Sequence, residues 1–566
     1  MRLTIDGKVV QAQPGESLRD MVVSQGMDAR DLQKRPLAAK IAGEVFTLNY
    51  IPVRLKDSTP ESPTVRRAMA ASHGEIHLLH YSDSQGKKVY TRTACFLVFL
   101  SLRALWPSCV AKISCTMGNS VYILLKDCPA FSAEALKQQM EQCIREDFPL
   151  IRRRVPIQEA IFHFQKNNQA DKAELLQWYE SEHFDEYFYG DFSDYFFGEM
   201  LPSSGYLTVW NILPAKDGFI LLYPDDLEPN RAAAFKDSPN FFSVFSEGER
   251  WGELMECETV ADLNRKTLNG SIRELIRVNE ALHEKRFSQI ADMVCQREAR
   301  VVMLAGPSSS GKTTSANRLS TQLRVHGKKP ILMSLDDYYI DRDKIPPGPD
   351  GKLDLEHINT LDTELFRQNI ADLLSGEETS LPTFNFVKGK REWNGRKLQL
   401  IENTVIIVEG IHGLNPQMVP PNVTEKEIFK LYVSPLLPLN LDNHNRISTS
   451  YLRLLRRIVR DYETRGSSVQ RTISMWESVQ DGEKRWIFPY QEHADVIFNS
   501  STLYELAVLK KHIFPLLLQI TPEDSCYEQV RSIVKILSYV QEADVDDEIP
   551  PTSIVREFIG GNSYYR

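Results

Sequence analysis

The sequence predicts a multidomain chain with an α/β, parallel-sheet second half and an α+β first half, and three observations carry this. The apolar run Val301–Ala305 stops at Gly306, and a helical pattern resumes at Lys312. Two later apolar runs, Pro330–Leu335 and the NTVIIVEG stretch from Asn403, end in acidic residues, as strands do at the ligand-binding edge of an open α/β sheet. From Met1 to about Val53, short alternating runs are punctuated by glycine and proline, a β-rich pattern.

Composition sets the frame. A chain of 566 residues exceeds one core, and domains of about 150 residues imply three or four units. Charged residues at 25% and hydrophobic residues at 42% are a globular balance, which excludes disorder as the default. The net charge of -9 gives no global attraction to nucleic acid or anionic membrane, so an RNA role for the N-terminal modules needs local evidence. Eight cysteines lack C-x-x-C spacing, the pattern of reduced thiols. The opening MRLTIDGKVV has no signal-peptide apolar stretch, and Cys95–Leu102 is too short to cross a bilayer before Arg103. A cytoplasmic location without a membrane span is the expectation.

Gly306, Pro307, Ser308, Ser309, Ser310, Gly311, Lys312, Thr313 and Thr314 form the chemical centre. Gly306, Gly311, Lys312 and Thr313 satisfy G-x-x-x-x-G-K-[ST], whose backbone N–H groups surround phosphates while the lysine reaches the outer ones and the hydroxyl ligates magnesium. Glycine lets the backbone approach the anion, and the following helix adds its positive N-terminus. ATP and Mg2+ are therefore the expected cofactors.

Taken in order, Leu3–Ile5 and Val9–Ala12 read as strands, Pro14-Gly15 as a turn, and Ser17 with Asp20 as a helix start; Leu37–Ile41 and Glu44–Leu48 follow as strands. This order resembles the TGS module, a β-grasp fold, over residues 1–57. Residues 58–225 resemble the second additional domain of threonyl-tRNA synthetases through RTACFLVFLSLRALWP at Arg92–Pro107 and DYFFGEMLP at Asp194–Pro202. The resemblance implies metal ligands at Arg92, Phe96, Phe196 and Met200, none of which can ligate zinc, so the editing centre is expected to be lost. His73 and His77 form an H-x-x-x-H outside the family helix and read as exposed or structural. The aromatic segment Trp178–Phe197 reads as core packing beside a solvated acidic face. Leu263, Leu268, Ile272, Leu275, Ile276, Val278 and Leu282 share a helical face in an expected connector, 226–298.

In the expected phosphate-loop domain, 299–515, the loop helix should run Thr313–His326 with Gly327 as its C-cap. Asp336 can orient an acceptor hydroxyl and take its proton, and Glu409 fits an acidic strand end that holds magnesium, with Asp336 a further metal candidate. The helix YLRLLRRIVRDYETRG places Leu452, Leu455, Val459 and Tyr462 on one face and Arg453, Arg456, Arg457 and Arg460 around the rest. Arg457, Arg460 and Arg465 are candidates to neutralise phosphate charge as a lid.

GPSSSGKTT, SLDDYY, DLEH at Asp354–His357, PTFNF at Pro382–Phe386, VEGIHGL, RRIVRDYETRG and HADVIFN at His493–Asn499 together resemble the phosphoribulokinase and uridine kinase family over about 200 residues. The resemblance implies a catalytic Asp336, a Tyr339 lining the acceptor site, a Glu356 holding ribose hydroxyls, and Phe384, Phe386 and Arg391 on the nucleoside side. It departs where the base is read: Phe384 stands where the family has tyrosine, and Gly389 near its histidine, which opens the choice of base. The reading is a kinase acting on a ribonucleoside 5′-hydroxyl; a kinase of another sugar-like alcohol, and an RNA-associated regulator using ATP as a switch, remain open. The tail 516–566 is assigned packing, not chemistry.

Overall fold

A computed structural model describes residues 2–41, 43–52, 75–345, 354–420 and 423–564. They form two compact units: 1–237 with 259–261 and 440–446, and 238–258 with 262–439 and 447–566. His73 lies outside the described residues; His77 is exposed, with 58% of its side chain accessible.

In the first unit, β1 (Arg2–Ile5) and β2 (Lys8–Gln11) form a hairpin turned by Asp6 and Gly7, both at positive φ. Helix α1 (Leu18–Ser24) starts in the expected capping box: the Ser17 hydroxyl accepts from Asp20 N while the Asp20 carboxylate accepts from Ser17 N. Strands β3 (Ala38–Ile41) and β4 (Glu44–Thr47) follow. The sheet takes a fifth strand, β5 (Glu75–Leu79), from beyond the expected boundary at 57, parallel to β1 and antiparallel to β3, in the order β2-β1-β5-β3-β4. Long-range pairing of this kind leaves no local signal in the chain.

Helix α2 (Ser84–Leu105) buries nearly every residue from Val89 to Leu102. Antiparallel sheets of β6 (Val110–Met117), β7 (Ser120–Lys126), β11 (Asn211–Ala215) and β12 (Gly218–Leu222), and of β8 (Arg152–Pro156), β9 (His183–Tyr189) and β10 (Phe192–Asp194), complete the unit. Phe96 and Met200 are core residues, Phe196 stacks on Phe99, and the Arg92 guanidinium fills the space that a side chain at Gly198 would need. The aromatic segment packs as expected, with Phe184, Tyr187, Phe192 and Tyr195 buried, but only some of its acids are solvated: Glu180, Glu182 and Asp191 are exposed. Glu186, Asp194 and Glu199 are buried: Asp194 binds Lys172 and His444, and Glu199 accepts from Tyr187 and pairs with Arg152. Buried Lys172 and half-exposed Arg152, both on other elements, compensate Asp194 and Glu199, which a reading of the segment alone does not see.

The second unit is built on β13 (Val301–Ala305), β14 (Lys329–Ser334), β15 (Thr404–Glu409), β16 (Ile428–Ser434) and β17 (Val496–Asn499), all parallel in the order β14-β15-β13-β16-β17. The five side chains of central β13 are all buried, as expected of a strand covered on both faces. Helix α3 (Ile272–Gln296) is part of this core and not a separate connector, since Phe287, Ile290, Ala291 and Val294 pack with β13 and β16 residues. On the expected face Leu263, Ile272, Leu275 and Ile276 are buried, whereas Leu268 is exposed. Helix α4 (Lys312–Val325) ends before Gly327, which is left-handed at φ +74.

Candidate active site

The parallel sheet sets the site, because its register fixes which strand ends lie together. Ser334 of β14 pairs with Glu409 of β15, so Asp336 and Glu409 leave the sheet at the same edge, beside the loop that follows β13. A cleft of about 370 Å3 is lined there by Ser308–Thr313, Asp336, Tyr339, Glu356, Phe384, Phe386, Glu409, Arg457, Arg460 and Arg465.

The loop is tightly constrained. A Cβ at Gly306 would stand 2.1 Å from the Val433 carbonyl oxygen; one at Gly311, already left-handed at φ +87, would stand 2.5 Å from Ile554 Cγ2. Lys312 Nζ donates to the Pro307 carbonyl at 3.0 Å and feels both Glu409 and Asp336, while burial is the largest influence and lowers its pKa. Thr313 Oγ1 donates to the two Glu409 oxygens at 3.2 and 3.3 Å. Burial first, then the facing Asp336, pushes the Glu409 carboxyl up to about 7. Asp336 is raised as well, by the surrounding protein first, with Lys312 opposing.

An all-oxygen set of hydroxyl and carboxylates that crowds negative charge suits a hard cation. Among the described residues no three His, Cys, Asp or Glu side chains gather into a metal cage. In magnesium sites one or two carboxylates are completed by phosphate oxygens and water. Thr313, Glu409 and Asp336 fit Mg2+ on these terms.

The arginine helix α5 (Thr449–Arg465) starts at a Ser448 cap and ends at left-handed Gly466. Leu452, Leu455 and Val459 are buried as expected, but Tyr462 is 45% exposed, and Arg453 and Arg456 are buried instead of surface-facing. Arg453 pairs with Glu483 of α6 (Val469–Trp486), and Arg456 with Glu505. Both reach the phosphate loop: Arg453 Nη1 donates to the Ser308 carbonyl at 3.2 Å and Arg456 Nη1 to the Ser309 carbonyl at 3.5 Å. Arg457 donates to the Ser308 hydroxyl at 2.8 Å. Nearly buried Asp461 collects Arg457, Arg460 and Arg465 at 3.3, 2.7 and 3.7 Å and fixes their fan at the cleft.

On the acceptor side the rings of Tyr339 and Phe384 lie 5.5 Å apart, and those of Phe384 and Phe386 5.1 Å apart. Glu356 sits against α6 where Gly482 has no side chain; a Cβ there would come within 2.4 Å of the Glu356 Cβ. Burial, then Glu483, pushes the Glu356 carboxyl up to about 7, with Arg457 and Lys312 opposing. Arg391 does not line the cleft. Its guanidinium binds Asp362 at 2.9 Å and the backbone carbonyls of Tyr338 and Tyr339, so it holds the Tyr339 backbone from behind. Space left at Gly389 is taken by Arg342, which lines the cleft.

Sequence reasoning missed Asp461, Glu483, Arg342 and Glu557. Glu557 belongs to the tail assigned to packing, yet it lines the cleft. Asp461 lies within the RRIVRDYETRG stretch, which gave it no role of its own, and no local motif marks the other three.

A phosphate loop after the central parallel strand, two acidic strand ends and an arginine helix define a kinase of the phosphate-loop class. Residues 301–507 match the Phosphoribulokinase / Uridine kinase family. A uridine kinase from Ligilactobacillus salivarius is 30% identical over 198 residues, 35% of this chain and 83% of that protein, and the chain belongs to this family. A uridine kinase from Staphylococcus haemolyticus is 28% identical over 211 residues, 37% of this chain and 91% of that protein. A solved structure described as a possible uridine kinase from Bacillus stearothermophilus is 18% identical, with a TM-score of 0.25, over 37% of this chain and 96% of that one. Among the described residues no helix is long and apolar enough to cross a membrane.

Proposed function

We propose that the second unit transfers the γ-phosphoryl group of ATP to the 5′-hydroxyl of a ribonucleoside. One observation carries this: a single cleft joins the phosphate loop to an acceptor side in which Asp336 and Glu356 adjoin three aromatic rings. Phe384 and Phe386 stack a planar base, and the Glu356 carboxylate accepts two hydrogen bonds from vicinal ribose hydroxyls. Arg342 supplies donors to a base edge where Gly389 offers none.

Lys312 leaves the Pro307 carbonyl for the outer phosphates, and loop N–H groups hold the remainder. Asp336 accepts the proton of the 5′-hydroxyl as its oxygen bonds to the γ-phosphorus and the bond to the β-phosphate bridging oxygen breaks, releasing ADP. Arg457 and Arg460 take up the charge on the transferring group, held in place by Asp461. Mg2+, when bound by Thr313 and Glu409, neutralises phosphate charge.

The front modules are read as β-grasp and synthetase-like. The order β2-β1-β5-β3-β4, with β1 and β5 parallel and α1 crossing between hairpins, supports the first.

A panel of the common ribonucleosides and non-nucleoside sugar alcohols, scored by ATP consumption and product mass, tests the proposal. A nucleoside 5′-monophosphate from at least one acceptor is the expected product; none from any nucleoside refutes it.

Glu356 gives the reading a pH signature. Ionised Glu356 binds the ribose, so the acceptor KM falls about tenfold per pH unit as pH rises towards 7 and levels off above it. Stability runs the other way. A carboxyl raised from 4.5 to about 7 stabilises the unliganded fold fully below 4.5 and loses that contribution as pH rises through about 7. E356Q is expected to raise KM roughly 10- to 100-fold at pH 8 and to abolish the KM limb. A limb that persists in E356Q assigns it to another group.

A further inference from the structure

Glu557 stands on the phosphate-binding end of α4. Its Oε2 accepts from Thr314 N at 3.1 Å and from Thr314 Oγ1 at 2.7 Å, while Asn562 Nδ2 donates to the same hydroxyl at 3.1 Å. Thr314 N–H is one of the unpaired donors of the first helical turn, and the N-cap, Gly311, has no side chain to satisfy it. Such a donor is where a nucleotide phosphate binds. A carboxylate already holds it, and its charge reaches both Lys312 and Glu409.

The segment that brings Glu557 there is anchored. Ile554 and Phe558 belong to the buried core of the sheet, Ile554 lies against Gly311, and the Arg456 guanidinium lies 4.8 Å from the Phe558 ring centre. Ser553 donates to Glu280 at 2.7 Å. The backbone is thus fixed to the wall of the phosphate loop, and the partly buried Glu557 side chain is what can swing.

We infer that Glu557 is an internal anion that occupies a phosphate position on Thr314 and must yield it when a nucleotide binds, so that this residue sets nucleotide affinity. The inference rests on the phosphate-loop reading but not on the identity of the acceptor. A carboxylate merely capping α4 would stabilise the helix and leave phosphate affinity unchanged or lower it when removed. A competing carboxylate has the opposite signature. Its removal tightens binding of phosphate-bearing ligands and leaves adenosine untouched.

The test is calorimetric titration of the full chain and of its E557Q and E557A variants with adenosine, ADP and ATP in the presence of magnesium, alongside thermal unfolding. E557Q keeps an acceptor without the charge; E557A removes both. The expected result is a dissociation constant for ADP and ATP about 3- to 10-fold lower in E557Q and lower again in E557A, the scale of one charge-assisted hydrogen bond partly replaced by solvent, with adenosine unchanged. Equal or weaker ADP binding in variants that keep the wild-type melting temperature overturns the inference, as does ADP binding by none of the three proteins. If E557A fails to fold, E557Q alone decides. Wild-type protein that binds ATP yet phosphorylates no nucleoside refutes the acceptor reading and leaves this one standing; equal ADP affinities refute this one and leave the acceptor reading.

Discussion

Asp336→Asn is expected to lower kcat by about 10²- to 10⁴-fold, the usual contribution of a positioned general base, while ATP affinity stays within about threefold. The asparagine preserves the shape beside Lys312 and can still orient a hydroxyl, but it cannot take the proton. Asp336 combines the two requirements of position and basicity. It leaves β14 at the edge where Glu409 leaves β15, and its carboxyl is raised above the ordinary value by its surroundings, so it is a stronger base than a free aspartate. The measurement is steady-state kcat and KM with the best acceptor from the panel, with ATP binding by calorimetry. A loss of kcat below tenfold with unchanged KM would remove Asp336 from the base role, because it falls short of what a positioned general base contributes. A large loss accompanied by lost ATP binding would instead mean that Asp336 serves mainly the metal. The two outcomes separate its two candidate tasks.

What could be read in the chain follows the range of the forces involved. The capping box of Ser17 and Asp20, the β13-loop-α4 unit and left-handed Gly327 are set by backbone demands within a few residues, and all were legible. The common edge of β14 and β15 was legible for a related reason: apolar runs ending in acids report burial along the strand and solvent at its end. Compensation across distance was not. A helical wheel of α5 treats Arg453 and Arg456 as surface residues because lone arginines are costly to bury. Their partners, Glu483 and Glu505, lie 30 and 49 residues further on and reverse that sign. Asp194 and Glu186 depart from the expected solvated face in the same way; the cation beside Asp194, Lys172, lies on another element. Strand β5 and Glu557 escaped because one joins β1 across more than 70 residues and the other meets Thr314 across 243.

Arg453→Met is expected to destabilise the second unit by about 3–5 kcal/mol, the cost of leaving a buried charge without its partner. The pair is nearly sealed, with 2% of the arginine and 1% of the glutamate side chain accessible, and is bound through two contacts, Nη1 to Oε1 and Nη2 to Oε2, the second at 2.7 Å. Glu483 Oε1 also accepts from Ser308 N at 2.9 Å, and Arg453 Nη1 donates to Ser308 O at 3.2 Å, so the pair grips both backbone groups of one loop residue. Loss of Arg453 should therefore weaken nucleotide binding as well as stability. Replacing both partners, as Arg453→Met with Glu483→Met, separates the two effects. Well-packed apolar groups can match or exceed a buried pair in stability, so the double variant should recover much of the folding free energy, yet it restores neither contact to Ser308. Urea denaturation followed through the transition that abolishes ADP binding, with ADP affinity measured in native buffer, gives both quantities. A single variant destabilised by less than about 1 kcal/mol would mean that water reaches Glu483 and that the pair is not sealed. A double variant that is stable and still binds ADP at wild-type affinity would mean that the loop holds its shape unaided, through Gly306 against the Val433 carbonyl and Gly311 against Ile554. The expected pattern, with stability regained and affinity not, makes the buried pair a device for shaping the phosphate site rather than for holding the fold together.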